Sequence, residues 1–500
     1  MTVPPSCPRA AVRRRWSRAG FAAWALVGAA CQAAGDTPLT PCRIAGVRNS
    51  VQCGTVQRAL DPARPDGPKI EVHFVVVPAI ARRKLPDPVF LLAGGPGQSA
   101  IDLAPSVMAV LNRLANRRDI VFVDQRGTGR SAPLACKETD REPLADAADT
   151  PTQIRRMAEC RRDLQALPYL RAAGDLRFFS TFLAMQDLDA VRQRLGAQRI
   201  NLLGASYGTR AALEYQRQFP SRVRRSVIDG VAPPDMVLPA SFAVDGQTAF
   251  ESLLAACATD PVCAGQHPTL RADWSTLLAS LPKPVSLAHP LTGRAEKFVL
   301  TVEMLQAAVR GPLYSPALAA GLPAAIAEAA RGNFAALLGL SASLASRRAA
   351  KVALGMHFSV VCAEDVPLLA PAAEPGAGDG FARLYRGVCA DWPRAEVPQA
   401  FYSVPASASP VLLLSGGLDP ATPPRHAERV ARSLGALATH VVVANAGHGV
   451  MGLGCVRDLV YRFVDATDDR DAGAVDANCA AKLPRPPVFQ PLVSANQAAR

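Results

Sequence analysis

The sequence predicts an α/β fold: a mostly parallel, doubly wound sheet interrupted by an inserted helical domain. Three observations carry this. Runs of Val, Ile and Leu recur from residue 70 onward, helical patterns stand between them, and the alternation stops at about 236 and resumes at 410. Runs without polar interruption belong to strands covered on both faces, as in parallel sheets. A chain of 500 residues that is 49% hydrophobic and 19% charged can bury a large core, and it is too apolar for a disordered chain.

At the N-terminus, Arg9, Arg13, Arg14, Arg15 and Arg18 precede the apolar stretch AGFAAWALVGAA at 19–30, and the small residues of CQAAGD follow. This is the pattern of an export signal over 1–34, cleaved near Ala33 or Ala34. The apolar stretch is too short to span a bilayer, and no run of 18 uncharged apolar residues occurs elsewhere, so no transmembrane segment is expected. Lipid attachment at Cys31 is the alternative to simple cleavage. The expected location is exported, either periplasmic or secreted.

The formal charge is +13, with 55 Lys and Arg against 42 Asp and Glu. Beyond the signal the basic residues are scattered, and their longest cluster is Arg82-Arg83-Lys84. A nucleic-acid binder concentrates its charge and interleaves aromatics, so a nucleic-acid partner is not expected. Of 12 cysteines, Cys7 and Cys31 fall in the signal. The other ten cluster as neighbours: Cys42 with Cys53, Cys136 with Cys160, Cys257 with Cys263, Cys362 with Cys389, and Cys455 with Cys479. Five sequential disulfides are therefore expected in an oxidising compartment. No CxxC pair exists, which argues against structural zinc.

The strands are read at IEVHFVVV (70–77), PVFLLAG (88–94), DIVFVDQ (119–125), INLLG (200–204), RRSVIDG (224–230), PVLLLSG (410–416) and THVVVANAG (439–447). Helical patterns such as 180–196 and 209–219 lie between them. Residues 236–400 read as helices separated by Pro- and Gly-rich turns. The resulting division is a signal over 1–34, a first core segment over 35–235, a helical cap over 236–400 and a second core segment over 401–500. An insertion of this kind is expected above the carboxyl edge of the sheet, where α/β sites lie.

The strongest motif is Gly204-Ala205-Ser206-Tyr207-Gly208, a G-x-S-x-G between a strand and a helix. That context marks a nucleophile elbow, in which a strained turn lifts the serine hydroxyl clear of the fold at the positive end of a helix. Serine needs a base, and in folds with this elbow the order along the chain is Ser, acid, His. His448, in NAGHGV after a strand, is the expected base, whereas His426 and His440 read as structural. Asp419, in SGGLDPATP after the strand at 410, is the expected acid. Asp229, in VIDG, is the competitor and reads as a structural, turn-forming acid. Gly95, in the loop Gly94-Gly95-Pro96-Gly97, and Tyr207 are the expected backbone donors of an oxyanion hole. Asp124 and Arg126 read as a charged pair holding that loop.

AGGPGQSA, DQRGTGRSAP, GASYGT, GGLDPATP and AGHG occur in that order. Together they resemble the prolyl and tripeptidyl aminopeptidase family of serine peptidases, from about residue 40 to 480. Ala93 stands where small prolyl iminopeptidases have His, so the chain looks more like the larger secreted, tripeptidyl aminopeptidase-like branch. The resemblance implies an α/β-hydrolase fold with a helical cap, peptide substrates and no metal or cofactor. It also implies cap acids that hold the substrate's free amino group, and Glu364 and Asp365 in VVCAEDVP fill that place. The function expected is an exported serine exopeptidase that releases residues or short peptides, tripeptides among them, through an acyl-enzyme. An exported carboxylesterase on the same triad is the alternative. A non-catalytic binding protein is the third reading, and filled triad positions argue against it.

Overall fold

A computed structural model of the chain describes residues 38–137, 141–345, 351–370 and 380–490. The expected signal, with Cys7 and Cys31, lies outside these residues. The main sheet has nine strands: β1 (Thr40–Cys42), β2 (Val51–Ala59), β3 (Lys69–Val77), β4 (Val89–Leu92), β5 (Ile120–Val123), β6 (Ile200–Ala205), β7 (Val223–Asp229), β10 (Val411–Gly416) and β11 (Ala438–Val443). Their spatial order is β1-β2-β3-β5-β4-β6-β7-β10-β11. Pairing is antiparallel from β1 through β3 to β5 and parallel across the rest.

Side-chain alternation explains why the central strands read as unbroken apolar runs. Val89, Leu91, Ile120, Phe122, Leu412 and Leu414 join one core, packed under helices Ala100–Leu111 and Val456–Asp465. Their neighbours Phe90, Leu92, Val121, Val123, Val411 and Leu413 face the opposite core, under helices Thr181–Arg194, Tyr207–Gln218 and Pro424–Leu434. Both faces are covered, so both sets of alternate residues are apolar. The loop after β4 leads to a helix on one face and the loop after β6 to a helix on the other. That divergence opens a crevice at the carboxyl ends of adjacent strands.

The segment 236–400 contains the expected helices and one element that the sequence reading missed. Strands β8 (Lys283–Ala288) and β9 (Ala295–Leu300) form an antiparallel hairpin. Val285, Leu287, Phe298 and Leu300 face the helical core beneath, and the residues between them are mostly exposed. A period of two was present, but only two residues per strand carry it. Buried His289 accepts the N–H groups of Leu291 and Thr292 through Nδ1 and so shapes the turn. The N-terminal strands β1 and β2 were also unread, because most of their residues are only partly buried.

The five disulfides join Cys42 to Cys53, Cys136 to Cys160, Cys257 to Cys263, Cys362 to Cys389 and Cys455 to Cys479. Each cysteine bonds its expected neighbour. Among the described residues no helix is long and apolar enough to cross a membrane.

Phe122 is fully buried at the centre of the sheet. Phe122→Ala should cost about 3–5 kcal/mol through lost burial and a residual cavity, read as a lower urea midpoint with unchanged slope.

Candidate active site

Ser206 sits between β6 and helix Tyr207–Gln218 with φ 56°, the left-handed region that disfavours a side chain. Close packing holds it there. A Cβ on Gly208 would lie 2.1 Å from the carbonyl oxygen of Leu92, and one on Gly204 would lie 2.4 Å from that of Gly208. Only glycine lets this helix pass so near the end of β4. Gly94 lies against the same turn, where a Cβ would stand 3.1 Å from Cβ of Ser206. Gly95 follows with φ +112°. Tyr207 opens the helix, and the first N–H groups of a helix have no partner within it.

His448 lies in the loop after β11. Its Nδ1 donates to Oδ2 of Asp419 at 2.8 Å. Asp419 also accepts the N–H groups of Ala421 and Thr422 at 2.8 and 2.9 Å and the Thr422 hydroxyl at 2.7 Å. Burial alone would raise the Asp419 pKa, but His448 and these donors hold it below the ordinary carboxylate value. Burial pulls the His448 pKa down, yet Asp419, with help from Asp229, leaves it above the ordinary imidazole value.

Asp229 ends β7 and does not reach the imidazole by a hydrogen bond. Its Oδ2 accepts the N–H groups of Val450 and Met451, each at 2.7 Å, and so ties down the loop that carries His448. Burial pushes its pKa up to about 6. The main chain at this point links both sides of the site. The Ser206 N–H donates to the Asp229 carbonyl at 2.9 Å, and a Cβ on Gly230 would lie 3.1 Å from the His448 ring. Ser206 and His448 thus flank one strand end. Among the described residues no hydrogen bond joins the Ser206 hydroxyl to His448.

Two expectations are corrected. Asp124 and Arg126 do not pair. Asp124 accepts the Ser99 hydroxyl and the N–H groups of Ile101 and Arg130, bracing the helix that follows the Gly94–Gly97 loop. Arg126 makes a buried two-pronged pair with Asp187. Each buried charge had a nearer partner elsewhere in the fold, which spacing along the chain does not reveal.

Glu364 and Asp365 do not face a cleft. Helix Leu354–Glu364 is buried around most of its circumference, and both side chains are 1% exposed or less. Asp365 takes both arms of Arg210 at 2.9 and 3.0 Å and the Leu238 N–H at 3.1 Å. Glu364 accepts the N–H and hydroxyl of Thr181 at the start of helix Thr181–Arg194. The Thr181 hydroxyl bonds that of Tyr207 at 2.6 Å. The acids therefore brace the helix behind Ser206 from within.

Sequence reasoning also missed His357, which carried no motif signal in its apolar helix. Its Nδ1 lies 3.3 Å from the Pro96 carbonyl and its Nε2 lies 2.8 Å from the Tyr385 hydroxyl. Burial pushes its pKa down to about 4, so the ring is neutral, and it donates to the loop beside Ser206 while accepting from Tyr385. His357 and Tyr385 border a cavity of about 1050 Å³, also lined by Met304, Ala307, Phe358 and Phe381. That is at the upper end for a small-ligand site.

The profile of the alpha/beta hydrolase fold matches residues 87–454. Serine protease Hip1 of Mycobacterium tuberculosis is 25% identical over 478 residues, which cover 87% of this chain and 90% of that one. Carboxylesterase B of Mycobacterium tuberculosis is 29% identical over 422 residues, 77% of this chain and 79% of that one. The tripeptidyl aminopeptidase of Streptomyces lividans is 32% identical over 192 residues, 37% of this chain and 36% of that one.

Burial raises the Glu364 pKa from 4.5 to about 7, against the pull of Arg210. The native state then holds a proton that the unfolded chain has released, so this group makes stability fall as pH rises from 4.5 to about 7. Glu364→Gln removes that slope. Its urea midpoint relative to the unsubstituted protein should climb across this interval. Parallel pH curves would show that the buried carboxyl does not titrate there.

Proposed function

The chain belongs to the alpha/beta hydrolase fold family, and from that premise we propose that it is an exported serine peptidase that releases short peptides from substrate N-termini. The single observation that carries the reading is the Asp419–His448 pair at 2.8 Å beside a serine held in a strained elbow. The resemblance over nearly the whole chain to a relative named a serine protease supports it, as does the partial likeness to a tripeptidyl aminopeptidase. Five disulfides support export.

In this reading His448 Nε2 takes the proton of Ser206 as its oxygen attacks the scissile carbonyl. The N–H groups of Gly95 and Tyr207 receive the developing oxyanion. His448 then returns the proton to the departing amine, which leaves an acyl-Ser206. Water attacks that ester with His448 again as base, and the acid product departs. Asp419 fixes the tautomer with the proton on Nδ1 and stabilises the imidazolium. The helical segment 236–400 acts as a cap that bounds the substrate space. With Glu364 and Asp365 turned inward, the substrate's amino group is held by other groups. The resemblance to a carboxylesterase favours a second reading, ester hydrolysis by the same triad.

Tripeptidyl amides with free and with blocked N-termini, set beside simple esters, separate these readings. Rapid cleavage of free-amine amides is expected. Cleavage of esters alone would leave the esterase. Ser206→Ala, His448→Ala and Asp419→Asn should each lower kcat by about 10⁴-fold or more, with losses that do not add. Asp229→Asn should cost far less, since its contacts are to the loop backbone.

The base must be neutral, and Asp419 raises the His448 pKa. The acid limb of kcat/KM should therefore fall above the ordinary histidine value of about 6.5. Asp419→Asn should move that limb to lower pH.

A further inference from the structure

Helix Val302–Leu313 and its cap residue Tyr314 run from the cavity to the catalytic histidine. Glu303, Ala307, Arg310 and Tyr314 follow at spacings of four, three and four, which places them on one face. Glu303 and Ala307 line the cavity. Tyr314 meets His448 edge-on, with ring centroids 5.0 Å apart, and its carbonyl accepts the His448 N–H at 2.9 Å. Arg310 stands between them, one turn, or about 6 Å along the axis, from Tyr314.

Its guanidinium is held by rings instead of by a carboxylate. The central carbon lies 4.9 Å from the ring centre of Phe242 and 4.5 Å from that of Phe381, and Phe381 also lines the cavity. Ring contacts of this kind use the cation's face and leave its in-plane N–H donors free. Nη1 is buried and donates to nothing among the described residues. Of the charged residues that line the cavity, Arg383 pairs with Glu303 and Arg156 with Glu142 and Asp146, while Asp149 accepts the Thr152 N–H at the start of its own helix. The residue as a whole is half-buried, but a buried N–H with no acceptor is costly unless a ligand completes it.

We propose that Arg310 is an anchor for a carboxylate of the substrate, set between the cavity and His448. Resting on the peptidase reading, this deepens it: the enzyme favours peptides with a carboxylate one or two residues from the scissile bond. The planar fork suits a two-pronged carboxylate pair. Two sources supply that chemistry, an acidic side chain and a free C-terminus.

Binding to Ser206→Ala, measured by calorimetry, tests the anchor without turnover. One arm compares Ala-Glu-Ala amide with Ala-Gln-Ala amide, and the other compares Ala-Ala-Ala with its amide. At least one carboxylate should bind about 10-fold more tightly than its neutral twin, and the arm that does so identifies the source. Adding Arg310→Gln should bring that ratio to about one. Arg310→Lys should recover part of it, because charge returns without the fork. Equal binding within both pairs overturns the anchor, and so does a preference that survives Arg310→Gln. Hydrolysis of tripeptidyl amides by the unsubstituted protein is read in parallel. Its absence removes the peptidase reading and leaves the binding result to stand or fall alone.

Discussion

The structure depends on one close approach of backbones. The helix after Ser206 must pass the end of β4 with no side chain between them, and Gly204 and Gly208 make this contact. The approach sets the elbow's angle and holds Ser206 at a dihedral it would not choose. It also brings the Gly94 loop against the same turn, so Ser206 and the candidate oxyanion donors are fixed by one packing event. Strain of this sort persists only where the surroundings over-determine the backbone. Here they do so with the sheet on one side and Arg210, Tyr207 and Thr181 on the other.

A second layer of buried polarity supports the first. Arg210 lies one turn into the elbow's helix and locks onto Asp365 at the end of helix Leu354–Glu364. The same helix presents His357 to the Pro96 carbonyl. One helix thus holds the elbow from behind and the glycine loop from the front. Burial, with Asp365 adding to it and Arg210 opposing it, makes Glu364 keep its proton more readily than an exposed glutamate does. Removing one member of such a buried network strands its partner's charge, which makes it intolerant of single deletions.

The parts of the molecule legible in the sequence are those with a local signature. Val89–Leu92 and the run 411–414 announced themselves because burial on both faces leaves no polar residue to interrupt them. Ser206, Asp419 and His448 were legible because each follows a strand in a glycine-marked turn. Asp229 was separated from Asp419 by its setting, and its contacts are to the backbone of Val450 and Met451. What the sequence concealed was partnership at a distance. Asp124 and Arg126 stand two residues apart and serve different partners. Glu364 and Asp365 look like surface acids in a turn, yet they meet a cation that lies 155 positions before Asp365. Arg310 has no motif at all, and only the folded chain shows that two phenylalanines hold it in place of an acid.

The cysteine pairing has a consequence for how the molecule is made. The bridges close separations of 11, 24, 6, 27 and 24 residues, and no pair encloses or crosses another. A chain that emerges N-terminus first into an oxidising space presents each cysteine to its proper partner before the next pair appears. Correct connectivity is then written in the order of emergence. Random oxidation of a denatured chain would have to search among the ten bridge cysteines at once, whereas oxidation in order of emergence offers each one its sequence neighbour first.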